Sequence, residues 1–134
     1  MFWTLFTVGL SFADAAPEMS SVTAPLQAWA TATEAGDADA LGAVFHPDAL
    51  QIVRIGDKTM TLALPAYQQM MRSGKVGGQA VSLSVNSVSV SGDVASVTAT
   101  RQTPGMTFYD AVSLTRSDDD GWRIAGVAVA AVPK

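Results

Sequence analysis

The stretch Gly36-Asp37-Ala38-Asp39-Ala40-Leu41-Gly42-Ala43-Val44-Phe45-His46-Pro47 constrains the fold of this chain more than any other. Gly36 suits the left-handed residue that ends a helix, where a Cβ is penalised. Asp37 suits the start of the next helix, its carboxylate accepting amide protons that have no partner inside the helix. Ala40, Leu41, Val44 and Phe45 recur at i, i+1, i+4 and i+5 and give that short helix one apolar stripe. Pro47 forbids continuation and biases His46 towards extended backbone, so the chain leaves as a strand. Two helices and a strand therefore meet at one tight corner.

Upstream, Val22, Leu26, Trp29 and Thr33 repeat at helical spacing, with Thr23 as a cap and Pro25 in the first turn. Downstream, residues 49–55 are rich in β-formers and reach a turn at Gly56-Asp57, with residues 59–62 completing a hairpin. Pro65 opens a third helix carrying Leu64, Tyr67 and Met71 on one side, and Gly74 stops it. From residue 79 onward the pattern is strand. Val81, Leu83 and Val85 alternate with serines, and then Val88 and Val90 continue one position out of phase. A strand cannot invert its faces without exposing half its apolar set, so a β-bulge is expected at Asn86 or Ser87. Turns at Ser91-Gly92-Asp93, Pro104-Gly105 and residues 118–121 separate four long strands. The order predicts an α+β fold, three N-terminal helices packed on one face of a strongly curved antiparallel sheet.

The 134 residues suit one domain with a real core. A net charge of −4 with scattered basic residues argues against nucleic acid, whose phosphates demand a clustered basic face. The chain has no Cys and one His, which excludes disulfides and thiolate chemistry and speaks against a metal site. Residues 1–15 read as a cleavable signal, with an apolar run too short to span a bilayer and Ala13-Asp14-Ala15 as the cleavage pattern. The mature chain would then be periplasmic or secreted, without stable membrane insertion. A start at Met19 would instead leave it cytoplasmic. The domain itself covers residues 22–132.

Ala35-Gly36-Asp37, Phe45-His46-Pro47-Asp48-Ala49, Phe108-Tyr109-Asp110-Ala111-Val112-Ser113-Leu114 and Gly121-Trp122-Arg123-Ile124 stand in order at fitting distances. Together they resemble the nuclear transport factor 2-like superfamily, and within it the lumazine-binding branch. The resemblance implies a curved sheet around a conical pocket, helices over its wide end, and often a homodimer through the sheet. It implies no single activity, since relatives include isomerases, dehydratases, ligand binders and adaptors. It sets Asp110 at the hydrogen-bonding acid of steroid isomerases, Val53 at their proton-abstracting acid and Trp29 at a hydrogen-bonding tyrosine. Valine cannot take a proton, so that reaction is closed by that route.

The residues themselves support a pocket. Met106, Phe108, Val112 and Leu114 share a strand face with Asp110, so this acid points inward. Burial disfavours its charged form, and a protonated carboxyl there would donate to a ligand oxygen. Alternatively it accepts from a backbone amide, His46 or an arginine, Arg54 and Arg101 being the strand candidates. His46 is the chain's single imidazole, the side chain most often used as a general base. With Asp48 or Asp110 it would form a general-base pair, or it would fix the helix-to-strand corner. Trp29, Val53, Tyr67, Met70, Phe108 and Asp110 are the expected ligand-binding residues, with no cofactor and no metal; Asp118-Asp119-Asp120-Gly121 reads as a solvated turn. Three functions are compatible with these residues. The first is a binding domain for a small apolar or aromatic molecule. The second is a lyase, isomerase or dehydratase using His46 and Asp110. The third is a dimeric scaffold whose cone is filled by its own side chains.

Overall fold

The computed structural model describes residues 12–134, and side chains from residue 18 onward. The apolar run on which the export reading rests lies outside the described residues. The order of elements is α1 (Phe12–Ala35), α2 (Leu41–Val44), β1 (Phe45–Ile55), β2 (Lys58–Ala63), α3 (Leu64–Arg72), β3 (Ser82–Ser91), β4 (Val94–Gln102), β5 (Met106–Ser117) and β6 (Gly121–Pro133). Among the described residues no helix is long and apolar enough to cross a membrane.

The first helix begins earlier than its sequence signals suggest. Thr23 does not cap it but donates from its hydroxyl to the Ser20 carbonyl at 3.3 Å. Pro25 sits in the interior and forgoes one intrahelical N–H bond. Its end matches expectation: Gly36 adopts φ +67°, its amide donates to Thr33 O at 3.1 Å, and the Asp37 amide donates to Ala32 O at 2.9 Å. These paired bonds close the last helical turn. Asp37 Oδ1 then accepts from the Ala40 amide at 3.2 Å. The strand after α2 starts at once, at Phe45, and absorbs Pro47 in an irregular stretch: Phe45 faces Ile124 and Leu50 faces Gly126, so β1 carries extra residues there.

The sheet is six-stranded and open, in the order β2-β1-β6-β5-β4-β3. Its pairs are antiparallel except β1 with β6, which run parallel because the first and last strands meet in the middle. Register shifts between Val85 and Ser87, leaving Asn86 as the extra residue. That bulge keeps Val85 and Val88 on the same inward face and answers the phase slip in the sequence.

Three inward rows emerge from the register. One runs Gln51, Val127, Val112, Val97, Val88; the next Val53, Val129, Asp110, Ala99, Val85; the last Ile55, Ala131, Phe108, Arg101, Leu83. Helices α1 and α2 cover the first row and the rows beyond it, where Val22, Leu26, Trp29, Leu41, Phe45 and Ile124 are fully buried. Trp29 meets Phe45 edge-on at 5.5 Å between centroids, and Phe45 meets Tyr67 likewise at 6.0 Å. Towards the third row the helices part from the sheet, and a hollow remains.

Candidate functional site

The hollow has a volume of about 380 Å³. The inner face of the sheet forms its floor, α3 one wall, and the loop of residues 73–81 its rim. The loop is pinned by α1. The Gly78 amide donates to the Thr33 carbonyl at 2.9 Å, and a Cβ on Gly77 would stand 2.8 Å from that same oxygen. Gly77 also adopts φ +81°, so the close approach and the dihedral both require glycine. The Val81 amide donates to Glu34 Oε1 at 2.9 Å and fixes the far end of the loop.

Arg101 is the charged group on the floor. Its Nε donates to Asp110 Oδ2 at 2.5 Å and its Nη2 to Asp110 Oδ1 at 2.9 Å. Both side chains are buried, and Asp110 lies fully out of solvent behind the guanidinium. The guanidinium carbon also lies 3.9 Å from the Trp29 ring centroid and 4.6 Å from that of Phe108. Two hydrogen bonds and two rings therefore hold one cation in one pose. Arg101 Nη1 has no acceptor among the described residues and is not sealed from the hollow. Nearby, Trp29 Nε1 donates to Tyr67 Oη at 2.9 Å, leaving the tyrosine proton unspent.

Of the residues expected to bind a ligand, Val53, Tyr67, Met70 and Phe108 line the hollow. Trp29 does not reach its surface; it supports Arg101 and Tyr67 from beneath. Asp110 points inward as its strand alternation requires, but it accepts on both oxygens from Arg101 and presents no donor to the cavity. The picture of a protonated acid facing a ligand is thereby corrected: a neighbouring strand supplies the partner that burial demands.

His46 and Asp110 are not brought together. The His46 Nδ1 accepts from the Asp48 amide at 3.0 Å at the start of β1, beside Phe45, which faces Ile124, while Asp110 faces Val129 five residues further along β6 and is engaged by Arg101. Arg54 points outward and ties the β1–β2 hairpin, its Nε donating to Gly56 O at 3.0 Å and its Nη1 to Thr59 Oγ1 at 3.2 Å. Met71 is core rather than lining. Residues 118–120 form the β5–β6 turn, with the Asp120 amide donating to Ser117 Oγ at 3.1 Å.

One residue escaped the sequence reading. Gln51 is buried as a residue and lines the hollow, and its carboxamide, which is not sealed from that space, makes no hydrogen bond to the described residues. The alternation Ala49, Gln51, Val53, Ile55 marks it as a polar residue on an apolar face, by the same logic that singled out Asp110.

A curved open sheet with helices over a hollow at one end defines a nuclear transport factor 2-like domain. The chain belongs to the lumazine-binding family within that superfamily: residues 17–128 match the family described as "Putative lumazine-binding". In structure it is similar to an NTF2-like protein of unknown function from Silicibacter pomeroyi, with a TM-score of 0.76 and 22% identity over 86% of this chain and 96% of that one. It is also similar to an NTF2-like protein of unknown function from Shewanella baltica, with a TM-score of 0.77 and 12% identity over 94% and 100%. A ketosteroid isomerase-like protein from Erwinia carotovora gives a TM-score of 0.69 and 17% identity over 85% and 95%. No curated protein matches the chain.

Proposed function

We propose that this domain binds a small, mainly apolar or aromatic molecule in the hollow beneath α3 and lacks an isomerase-type base. One observation carries the reading: about 380 Å³ of space lined mostly by apolar side chains, with a few polar groups on its floor. The family's description, which names lumazine binding, points the same way. Val53 supplies no proton acceptor where the resemblance sets the isomerase acid. The scaffold alternative needs a filled cone, which a hollow of this size does not favour. The enzyme alternative needs His46 and Asp110 in one site, and their separate partners speak against it.

The test is a thermal-shift panel of lumazine, flavin-like heterocycles, naphthalene derivatives and isoprenoids. A ligand at about 100 times its dissociation constant adds about 2.7 kcal/mol of stability. For a domain of this size, that is a rise in Tm of roughly 5 °C or more. A panel with no rise in any member counts against the reading.

We further propose that two copies pair through the outer face of the sheet, as the resemblance implies. That face exposes half of Leu50, Ile52 and Tyr109 beside Ala111 and Ala128. Ile52→Glu is expected to convert a dimer to a monomer in sedimentation velocity without lowering Tm by more than a few degrees. A monomeric unsubstituted protein at tens of micromolar would refute the pairing.

A further inference from the structure

The hollow is rich in donors and lacks acidic side chains, which narrows what it can hold. On its floor the Nη1 of Arg101, the hydroxyl proton of Tyr67 and the carboxamide of Gln51 have unspent hydrogen-bonding capacity, and Gln79 and Thr103 add further polar groups to the lining. Lys75 at the rim adds a second cation, and no Asp or Glu among the described residues lines the space. A guanidinium has five N–H donors, and Asp110 takes two of them. Asp110 is fully buried behind Arg101, so an incoming anion meets the guanidinium edge first. A cationic ligand would meet the N–H edge of Arg101 and the ammonium of Lys75, with no carboxylate on the lining to accept from it.

Gln51 adds a second requirement. Its carboxamide opens on the hollow and has no protein partner there, so it is free to pair with a guest. Gln51 is on β1 and Arg101 on β4, with β6 and β5 between them, so the two groups rise from opposite sides of the floor. Three strand spacings of about 4.8 Å and a four-residue offset along the strands put their backbones on the order of 20 Å apart along the sheet, a span that its curvature and the inward reach of the side chains shorten. One small ligand can therefore meet both only if it is polar at both ends.

We infer that the ligand is an apolar carboxylate: its carboxylate accepts from Arg101 and Tyr67, and a hydroxyl or carbonyl at its far end pairs with Gln51. This rests on the ligand-binding reading above and specifies the chemistry of the same hollow. The two ends then replace the water-facing contacts that these three groups otherwise make.

Isothermal titration with three probes tests it: 6-hydroxy-2-naphthoate, 2-naphthoate without the hydroxyl, and 2-naphthol without the carboxylate. The expected order is 6-hydroxy-2-naphthoate tightest, 2-naphthoate several-fold weaker, and 2-naphthol at least tenfold weaker than the first. This comparison needs no variant of Arg101, whose removal would strand Asp110. In Gln51→Leu, the ratio of the affinities for 6-hydroxy-2-naphthoate and 2-naphthoate should fall to about one. Equal affinity for 2-naphthol and the naphthoates overturns the carboxylate assignment and leaves the hollow as a general apolar site. A hydroxyl advantage that survives Gln51→Leu overturns the role of Gln51. Should none of the three bind, and the broader panel shift nothing, the ligand-binding reading fails and this inference goes with it.

Discussion

Replacing Arg101 with methionine is expected to destabilise the domain by about 3–5 kcal/mol, among the largest effects of any single change. The cause is the partner it leaves behind. Asp110 is fully buried, and Arg101 supplies the two N–H groups that satisfy both its oxygens. Without them, a carboxylate sits between Val129 and Ala99 on the inner face with no compensating charge. Methionine keeps most of the volume and the contact with the rings of Trp29 and Phe108, so the loss isolates the charge rather than a cavity. The pair Arg101→Met with Asp110→Leu should recover most of the lost stability, because both charges then leave together. Urea unfolding of the three variants measures it. Equal losses in the single and double variants would mean that packing, not charge, explains the effect. The double variant also separates stability from binding, since it should fold while no longer preferring carboxylates.

Trp29→Ala is the second large effect, at about 3–5 kcal/mol. Trp29 is fully buried and touches three parts of the structure at once: Phe45 edge-on, the Arg101 guanidinium over its ring, and Tyr67 through the indole N–H. Alanine leaves a void that those neighbours cannot close together, because the sheet and α1 are fixed by their own hydrogen bonds. Trp29→Phe should cost less, about 1–2 kcal/mol, since a ring remains and only the donor and part of the volume are lost. Comparing Trp29→Phe, Tyr67→Phe and the double variant by denaturant midpoints isolates the indole–phenol bond, expected at about 1 kcal/mol. A coupling near zero would show that the bond adds nothing to the fold. With total stability of a domain near 5–15 kcal/mol, Trp29→Ala leaves little margin at about 37 °C.

Much of this fold is legible in the chain. The slip from Val85 to Val88 locates the Asn86 bulge, and the alternation along β5 turns Asp110 inward. Gly36 and Asp37 mark the helix corner. The features hidden from the sequence depend on contacts between distant segments. The parallel pairing of β1 with β6 joins strands from opposite ends of the chain, and no local pattern announces it. The partner of Asp110 is hidden for a similar reason. Directly opposite Asp110 on β4 stands Ala99, while Arg101 faces Phe108, so the ion pair is diagonal and depends on register. The early start of α1 is obscured because Thr23 and Pro25 mimic a helix beginning. Gln51 needed only the alternation argument applied once more, to β1.

The carbonyl of Thr33 accepts from Gly36 at the end of α1 and from Gly78 on the loop above the hollow. One oxygen thus works as a hinge pin shared by the helix corner and the doorway. Each residue added to an α-helix rotates the chain beyond it by about 100°. The rim of the hollow is therefore indexed to the length of α1: one residue inserted or removed within the helix would turn the Thr33 carbonyl away from Gly78.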